Sequence, residues 1–198
     1  MIRKHKYPEE IQIVSDILDQ YYPLSKVTKE LLLDKLQRVE KKKGSFIFKQ
    51  GEKSNQLFFL IKGAVKAYNF NRNGLEEVYW FCFEGDLCCC PYSYAHDIPA
   101  HDNNVLYEDS IFYSIDIAYL KELYSHNLEW ANWGRCFAEE MNMVITQYMD
   151  EQRFMKAKER YDFLLKQYPD ITQRVPLQDI ASFLGITPVS LSRIRAQK

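Results

Sequence analysis

Gly185 lies between two short segments whose apolar residues repeat at helical spacing, and this constrains the C-terminal region more than any other feature of the chain. On its N-terminal side Ile180 and Leu184 share a face at i, i+4, with the small Ala181 beside them. Glycine stands where a left-handed turn residue would end that helix. Ile186 plugs the turn, Thr187 suits an N-cap and Pro188 suits the first helical position. Leu191 and Ile194 then face inward, leaving Val189, Ser190, Ser192, Arg193 and Ala196, all small or basic, on the outer face. The pattern predicts a helix-turn-helix whose second helix can enter a DNA major groove. A plain helical hairpin would show no charge bias, yet residues 153–198 hold nine Lys/Arg against four Asp/Glu. Residues 1–152 hold seventeen against twenty-three, so a near-neutral total conceals a basic C-terminal end suited to phosphates.

The rest of the chain reads in three stretches. Residues 8–40 predict two helices. Ile11, Val14, Leu18 and Tyr21 lie on the first; the second runs Thr28–Val39, with Thr28 as cap and Leu31, Leu32 and Leu36 inside. From 45 to 115 short apolar clusters predict strands at Phe46–Phe48, Leu57–Ile61, Ala64–Phe70, Val78–Phe83 and Ile111–Ile115. Glycine-bearing turns separate them, as in an antiparallel sandwich or barrel. Residues 91–104 are polar and turn-rich, a loop or short helix on the rim. Helix returns after Asp116. Residues 128–155 form a long run in which Trp130, Phe137 and Val144 repeat every seven residues, as do Gly134, Met141, Tyr148 and Met155. This stripe predicts a two-helix dimer seam built from Trp130, Phe137, Met141, Val144 and Tyr148, with Trp133, Ile145 and Met149 left to pack on the chain itself. A further helix, Ala157–Tyr168, leads into the helix-turn-helix. The basic N-terminus is not followed by an apolar segment, so no secretory signal is expected, and no run approaches the length of a membrane span.

This order of helix, glycine-punctuated β-roll, long helix and terminal helix-turn-helix resembles the CRP/FNR-type (cyclic-AMP receptor protein) family of bacterial transcription regulators. The residues that carry the resemblance are Lys49-Gln50-Gly51-Glu52-Lys53, Leu60-Ile61-Lys62-Gly63-Ala64-Val65, Asn73-Gly74-Leu75-Glu76-Glu77, Glu84-Gly85-Asp86 and Ile180-Ala181-Ser182-Phe183-Leu184-Gly185-Ile186. It implies an α+β fold: a β-roll sensor (an antiparallel double-stranded β-helix or jelly roll, cyclic-nucleotide-binding-domain-like) over 1–127 with flanking helices, a dimerisation helix over 128–155 and a DNA-binding domain over 156–198. Cyclic-nucleotide-binding members carry a Gly-Glu-Leu segment and then an Arg-Ser/Thr-Ala segment, with Glu on the ribose and Arg on the cyclic phosphate. Here those segments read Leu87-Cys88-Cys89-Cys90-Pro91 and Ala100-His101-Asp102, without the charge pair, and Pro91 removes an amide donor. Cyclic-nucleotide binding is therefore expected to be lost, leaving Cys88, Cys90, His101 and Thr146 as a candidate effector pocket. Members that read guanine-rich half-sites often carry Arg-Glu where this chain has Pro188-Val189, and only the later Arg193 is kept.

The five cysteines are an odd number, three of them adjacent. Cys88 and Cys90 share one face of a strand and Cys89 the other, so small buried thiols filling a ligand cavity compete with a thiol- or metal-responsive switch. A cupin-like metalloenzyme would need a His-x-His pair that His96 and His101 do not supply. A dimer that has lost DNA binding is opposed by the intact turn and basic end. The sequence thus predicts a cytoplasmic, homodimeric DNA-binding regulator rather than an enzyme, with no cofactor or metal. Thr187, Val189, Ser190, Ser192, Arg193, Arg195 and Lys198 are set to contact a palindromic duplex, and the family resemblance adds RNA polymerase as a partner.

Overall fold

In the computed structural model, residues 6–196 are described; the basic start of the chain and Lys198 lie outside them. Helices α1 (Pro8–Tyr21) and α2 (Lys26–Leu33) precede eight strands, β1 (Gln37–Lys41), β2 (Phe46–Phe48), β3 (Gln56–Lys62), β4 (Val65–Phe70), β5 (Glu76–Cys82), β6 (Leu87–Cys88), β7 (Asn103–Leu106) and β8 (Ser110–Asp116). A short helix, α3 (Pro91–His96), interrupts the strands after β6. Then follow α4 (Ile117–His126), α5 (Leu128–Phe154), α6 (Ala157–Gln167), α7 (Ile171–Arg174), α8 (Leu177–Phe183) and α9 (Pro188–Ala196). The strands form two four-stranded antiparallel sheets, ordered β1-β8-β3-β6 and β2-β7-β4-β5.

Strand β3 shows why the roll folds as it does. Its side chains alternate: Leu57, Phe59 and Ile61 face a core shared with α1, α4 and α5, while Phe58 and Leu60 face the space between the sheets. Both faces are buried, hence the unbroken apolar run. Between the sheets Leu60 and Phe112 meet Val65, Cys82, Cys88 and Leu106. The roll closes tightly after β3: Gly63 has φ +128, and a Cβ there would fall 2.1 Å from the Ser110 hydroxyl.

The start of the roll differs from the sequence expectation. Helix α2 is capped by Ser25, whose hydroxyl accepts from the Thr28 amide at 3.4 Å, so Thr28 lies inside the helix and is buried. It ends at Leu33 rather than Val39, Leu31 is exposed, and residues 37–41 pair with β8. That strand, Gln-Arg-Val-Glu-Lys, lies at a sheet edge and carries one apolar residue, so it has no apolar alternation to betray it.

The long helix runs as expected, but its heptad stripe does not face outward. Trp130 and Trp133 are 0% exposed, and Phe137 is buried beside them in the core with α1 and β3. The Trp130 indole N–H donates to the Thr28 carbonyl at 3.1 Å, and that of Trp133 to the Leu18 carbonyl at 2.8 Å. Met141 packs against the same core, and Tyr148 lies edge-on to Trp80 of β5. Val144 turns with them toward the roll, lining a cleft beneath it. The expected seam of Trp130, Phe137, Met141, Val144 and Tyr148 is therefore occupied within one chain. Ile145 and Met149, assigned to intrachain packing, stand out at 53% and 62% exposure.

Candidate nucleic-acid interface and sensor cradle

Helices α8 and α9 meet at Gly185, whose φ of +65 makes the left-handed turn. Ile180, Ala181, Leu184 and Leu191 are buried, with Ile186 and Ile194 packed against them. The Thr187 hydroxyl caps α9 by accepting from the Ser190 amide at 3.2 Å. The Ser190 hydroxyl is also within 3.0 Å of the Thr187 oxygen, so this expected DNA donor is engaged locally. Val189, Ser192 and Arg193 are exposed on the outer face and Arg195 is exposed on its flank, and among the described residues neither arginine has an ion-pair partner. One face of α9 thus presents a methyl-bearing side chain, a hydroxyl and the Arg193 guanidinium, with Arg195 on the flank, donors and apolar surface of the kinds that read base edges and phosphates.

The inner side of this domain is fastened to the roll. Tyr68, Val78, Phe81 and Phe83 share one apolar cluster with Tyr161, Leu164, Ile171, Ile180 and Leu184. The Val78 amide donates to the Ser182 hydroxyl at 2.9 Å. Asp179 accepts from the Tyr107 hydroxyl at 2.6 Å and from Lys66 at 3.2 Å. Arg174 makes two 2.8 Å bonds to Glu84, pairs with Glu108, and donates to the Gly63 carbonyl at 3.0 Å. Burial opposes ionisation of Glu84, but Arg174 and the Gly63 amide outweigh it and hold the carboxyl below its ordinary range. The sequence reading missed this junction; its signal was the lone acidic residue, Asp179, in α8 of an otherwise basic domain.

At the rim of the roll, the expected effector residues are dispersed. Cys88 lies between the sheets beside Cys82, whose thiol hydrogen bond, together with burial, holds Cys88 well above the usual thiol range. Burial likewise pushes Cys89 up to about 12. Cys90 belongs to a separate cluster with Phe48 and Ala100, and its sulfur caps α3 by accepting from the Ser93 amide at 3.4 Å. His101 stacks on Tyr92 at 4.1 Å. Thr146 is exposed on α5 and donates back to the Asn142 carbonyl at 2.8 Å. In place of a cradle for an anion stands the buried carboxylate of Asp102, bound by the Tyr79 hydroxyl and by the Asn104 amide at 2.9 Å.

Residues 38–127 match the family model for the cyclic nucleotide-binding domain. Among solved structures the chain is similar to FixK2 from Bradyrhizobium japonicum, at 18% identity over 82% of this chain and 83% of that one, with a TM-score of 0.69. A putative regulator of the CRP/FNR family from Eubacterium rectale shares 19% identity over 90% and 87%, TM-score 0.66. The Thermus thermophilus catabolite activator protein shares 19% over 91% and 85%, TM-score 0.56. The chain has the CRP/FNR-type fold. A comparison with curated protein sequences finds no match.

Within the CRP/FNR-type fold Thr187 and Ser190 meet at the cap of α9, so Ser190 is not on the open face expected of it, while Val189, Ser192 and Arg193 share that face and Arg195 lies on its flank. Cys88, Cys90, His101 and Thr146 do not converge. Asp102 and Tyr79 are what sequence reasoning passed over at the rim. A carboxylate at the position of an anion site is the signal for Asp102 that the sequence carries.

Proposed function

We propose that this protein is a homodimeric, sequence-specific DNA-binding transcription regulator whose sensor no longer takes a cyclic nucleotide. The observation that carries the reading is the outer face of α9, where Val189, Ser192 and Arg193 are exposed on a glycine-turned helix pair whose inner face is buried. Two copies would place two such helices on a palindrome. The dimer contact supported by exposure lies on the flank of α5, about 100° round the helix from the buried stripe: Ala138, Asn142, Ile145 and Met149 recur at 4-3-4 spacing and are all exposed. Among the described residues no helix is long and apolar enough to cross a membrane, consistent with work in the cytoplasm beside DNA. RNA polymerase remains the partner through which such a protein would act. A mobility-shift assay on duplexes from around the protein's own gene tests the reading: a discrete complex that survives excess random competitor supports it, and binding that random competitor abolishes contradicts it.

The loss of cyclic-nucleotide binding rests on Asp102. A buried carboxylate held by two neutral donors repels a phosphate, and neither Glu nor Arg replaces the missing pair. The Ser93 amide at the start of α3 is already bound to Cys90, and Pro91 has none to give. Titration calorimetry with millimolar cyclic AMP or cyclic GMP should give only heats of dilution. Saturable micromolar binding would show that Asp102 can move aside.

A further inference from the structure

A cleft of about 480 Å³ lies where the roll, α5 and the DNA-binding domain meet. Its size suits a small organic ligand. Seven aromatic residues line it, among them Tyr21 of α1, Trp80 of β5, Tyr148 of α5, Tyr168 after α6 and Phe183 at the end of α8. Tyr148 joins two of them, lying 6.3 Å from Trp80 and 5.5 Å from Phe183 between ring centroids. The charges on these walls have one sign. Asp86, Glu140 and Glu151 line the cleft and no Lys, Arg or His does.

Asp86 is the most telling of the three. Its carboxylate accepts from the Phe83 amide at 2.7 Å, and among the described residues no cation pairs with it. Burial raises its carboxyl to about 6, with the Phe83 amide pulling the other way. Burial also raises the Tyr21 and Tyr168 hydroxyls, and the Asp86 charge adds to the effect at both. Buried carboxylates are ordinarily paired, and aromatic faces attract cations through their quadrupoles.

We propose that this cleft is an effector site for a small organic cation, an amine or quaternary ammonium that sets its charge against Asp86 and its alkyl surface against Trp80 and Tyr148. An anion would meet three carboxylates, and a neutral ligand would leave Asp86 unpaired. Because Phe183 is the last residue of α8, a ligand here touches the sensor, the long helix and the helix-turn-helix at once, and so can shift how the DNA-binding domain sits on the roll. The binding test does not depend on DNA recognition, so its failure and that of the DNA-binding reading are separable.

The experiment is calorimetric titration of the full chain with three probes of nearly one shape: choline, its uncharged isostere 3,3-dimethylbutan-1-ol, and the anion 3,3-dimethylbutanoate. Choline should bind saturably, at least about tenfold tighter than the alcohol, and the anion should not bind. Asp86→Asn, which keeps an acceptor for the Phe83 amide, and Trp80→Leu should each weaken choline about tenfold, with circular dichroism showing which variant has folded. Equal or tighter binding of the alcohol, no saturable choline binding up to about 5 mM, or undiminished binding in the folded variants would each overturn the proposal.

Discussion

Arg193 and Asp86 show how much a single charged group can decide in this molecule. Arg193 lies on the open face between buried Leu191 and half-buried Ile194, with no intrachain partner among the described residues, so its five donors remain free for a guanine edge. Removing a bidentate contact of that kind costs about 1–3 kcal/mol at one base pair and little elsewhere. Arg193→Ala should therefore flatten one symmetric position of a selected palindrome, whereas loss of a phosphate contact would weaken all sequences alike. An unchanged consensus would move recognition to Val189 and Ser192, or to the shape of the DNA. Asp86 acts on stability. Its folded pKa of about 6 exceeds the ordinary unfolded value, so between about pH 4 and pH 6 the folded chain binds more protons than the unfolded one. The cost of ionising it is absent below that window and complete above it. Asp86→Asn should therefore raise stability at pH 7, by about 3 kcal/mol at most, with the gain fading as pH falls toward 4. Urea midpoints at the two pH values check the sign; a variant less stable than the parent at pH 7 would show that the ionised carboxylate is needed by the turn.

Helix α5 illustrates what one sequence can and cannot reveal about an element. Its length and its apolar stripe were legible, because a 3.6-residue period survives whatever the stripe packs against. Its orientation was not: a stripe that packs on its own sheet and one that packs on a second copy look alike in sequence. Two buried indoles bonded to carbonyls of α1 and α2 turn it inward, and the flank beside the stripe, with Ile145 and Met149, becomes the free one. Ile145→Glu with Met149→Glu should give monomers in sedimentation equilibrium while leaving circular dichroism unchanged, since the core stripe is untouched. A dimer that survived both would place the contact elsewhere. The strands divide in the same way. The doubly buried β3 was read correctly, whereas β7, with Asn103 and Asn104 buried and hydrogen-bonded, carried no apolar pattern to find. The turn at Gly185 was readable because the glycine, cap and proline rules are local; the scattered placement of Cys88, Cys90, His101 and Thr146 depends on tertiary packing, which local rules do not contain.

At the scale of the whole molecule, three sets of contacts bind sensor to reader: the apolar cluster across α8 and β5, the Lys66–Asp179–Tyr107 group, and Arg174 bridging Glu84, Glu108 and the Gly63 carbonyl. These contacts fall on α6, α7 and α8, while α9 keeps its outer face open. The helix-turn-helix is therefore held by its back, and in the proposed dimer its position on the roll would fix where the second α9 can reach. If two such helices read one duplex, their half-sites should lie about one helical turn, 10–10.5 base pairs, apart. Selection from a random duplex pool by the full-length protein, at physiological salt and followed by sequencing, tests this most directly. The expected result is a palindrome with that spacing, bound at about 10⁻⁸ M or tighter. A pool that stays random after selection, or an enriched sequence without twofold symmetry, would contradict it.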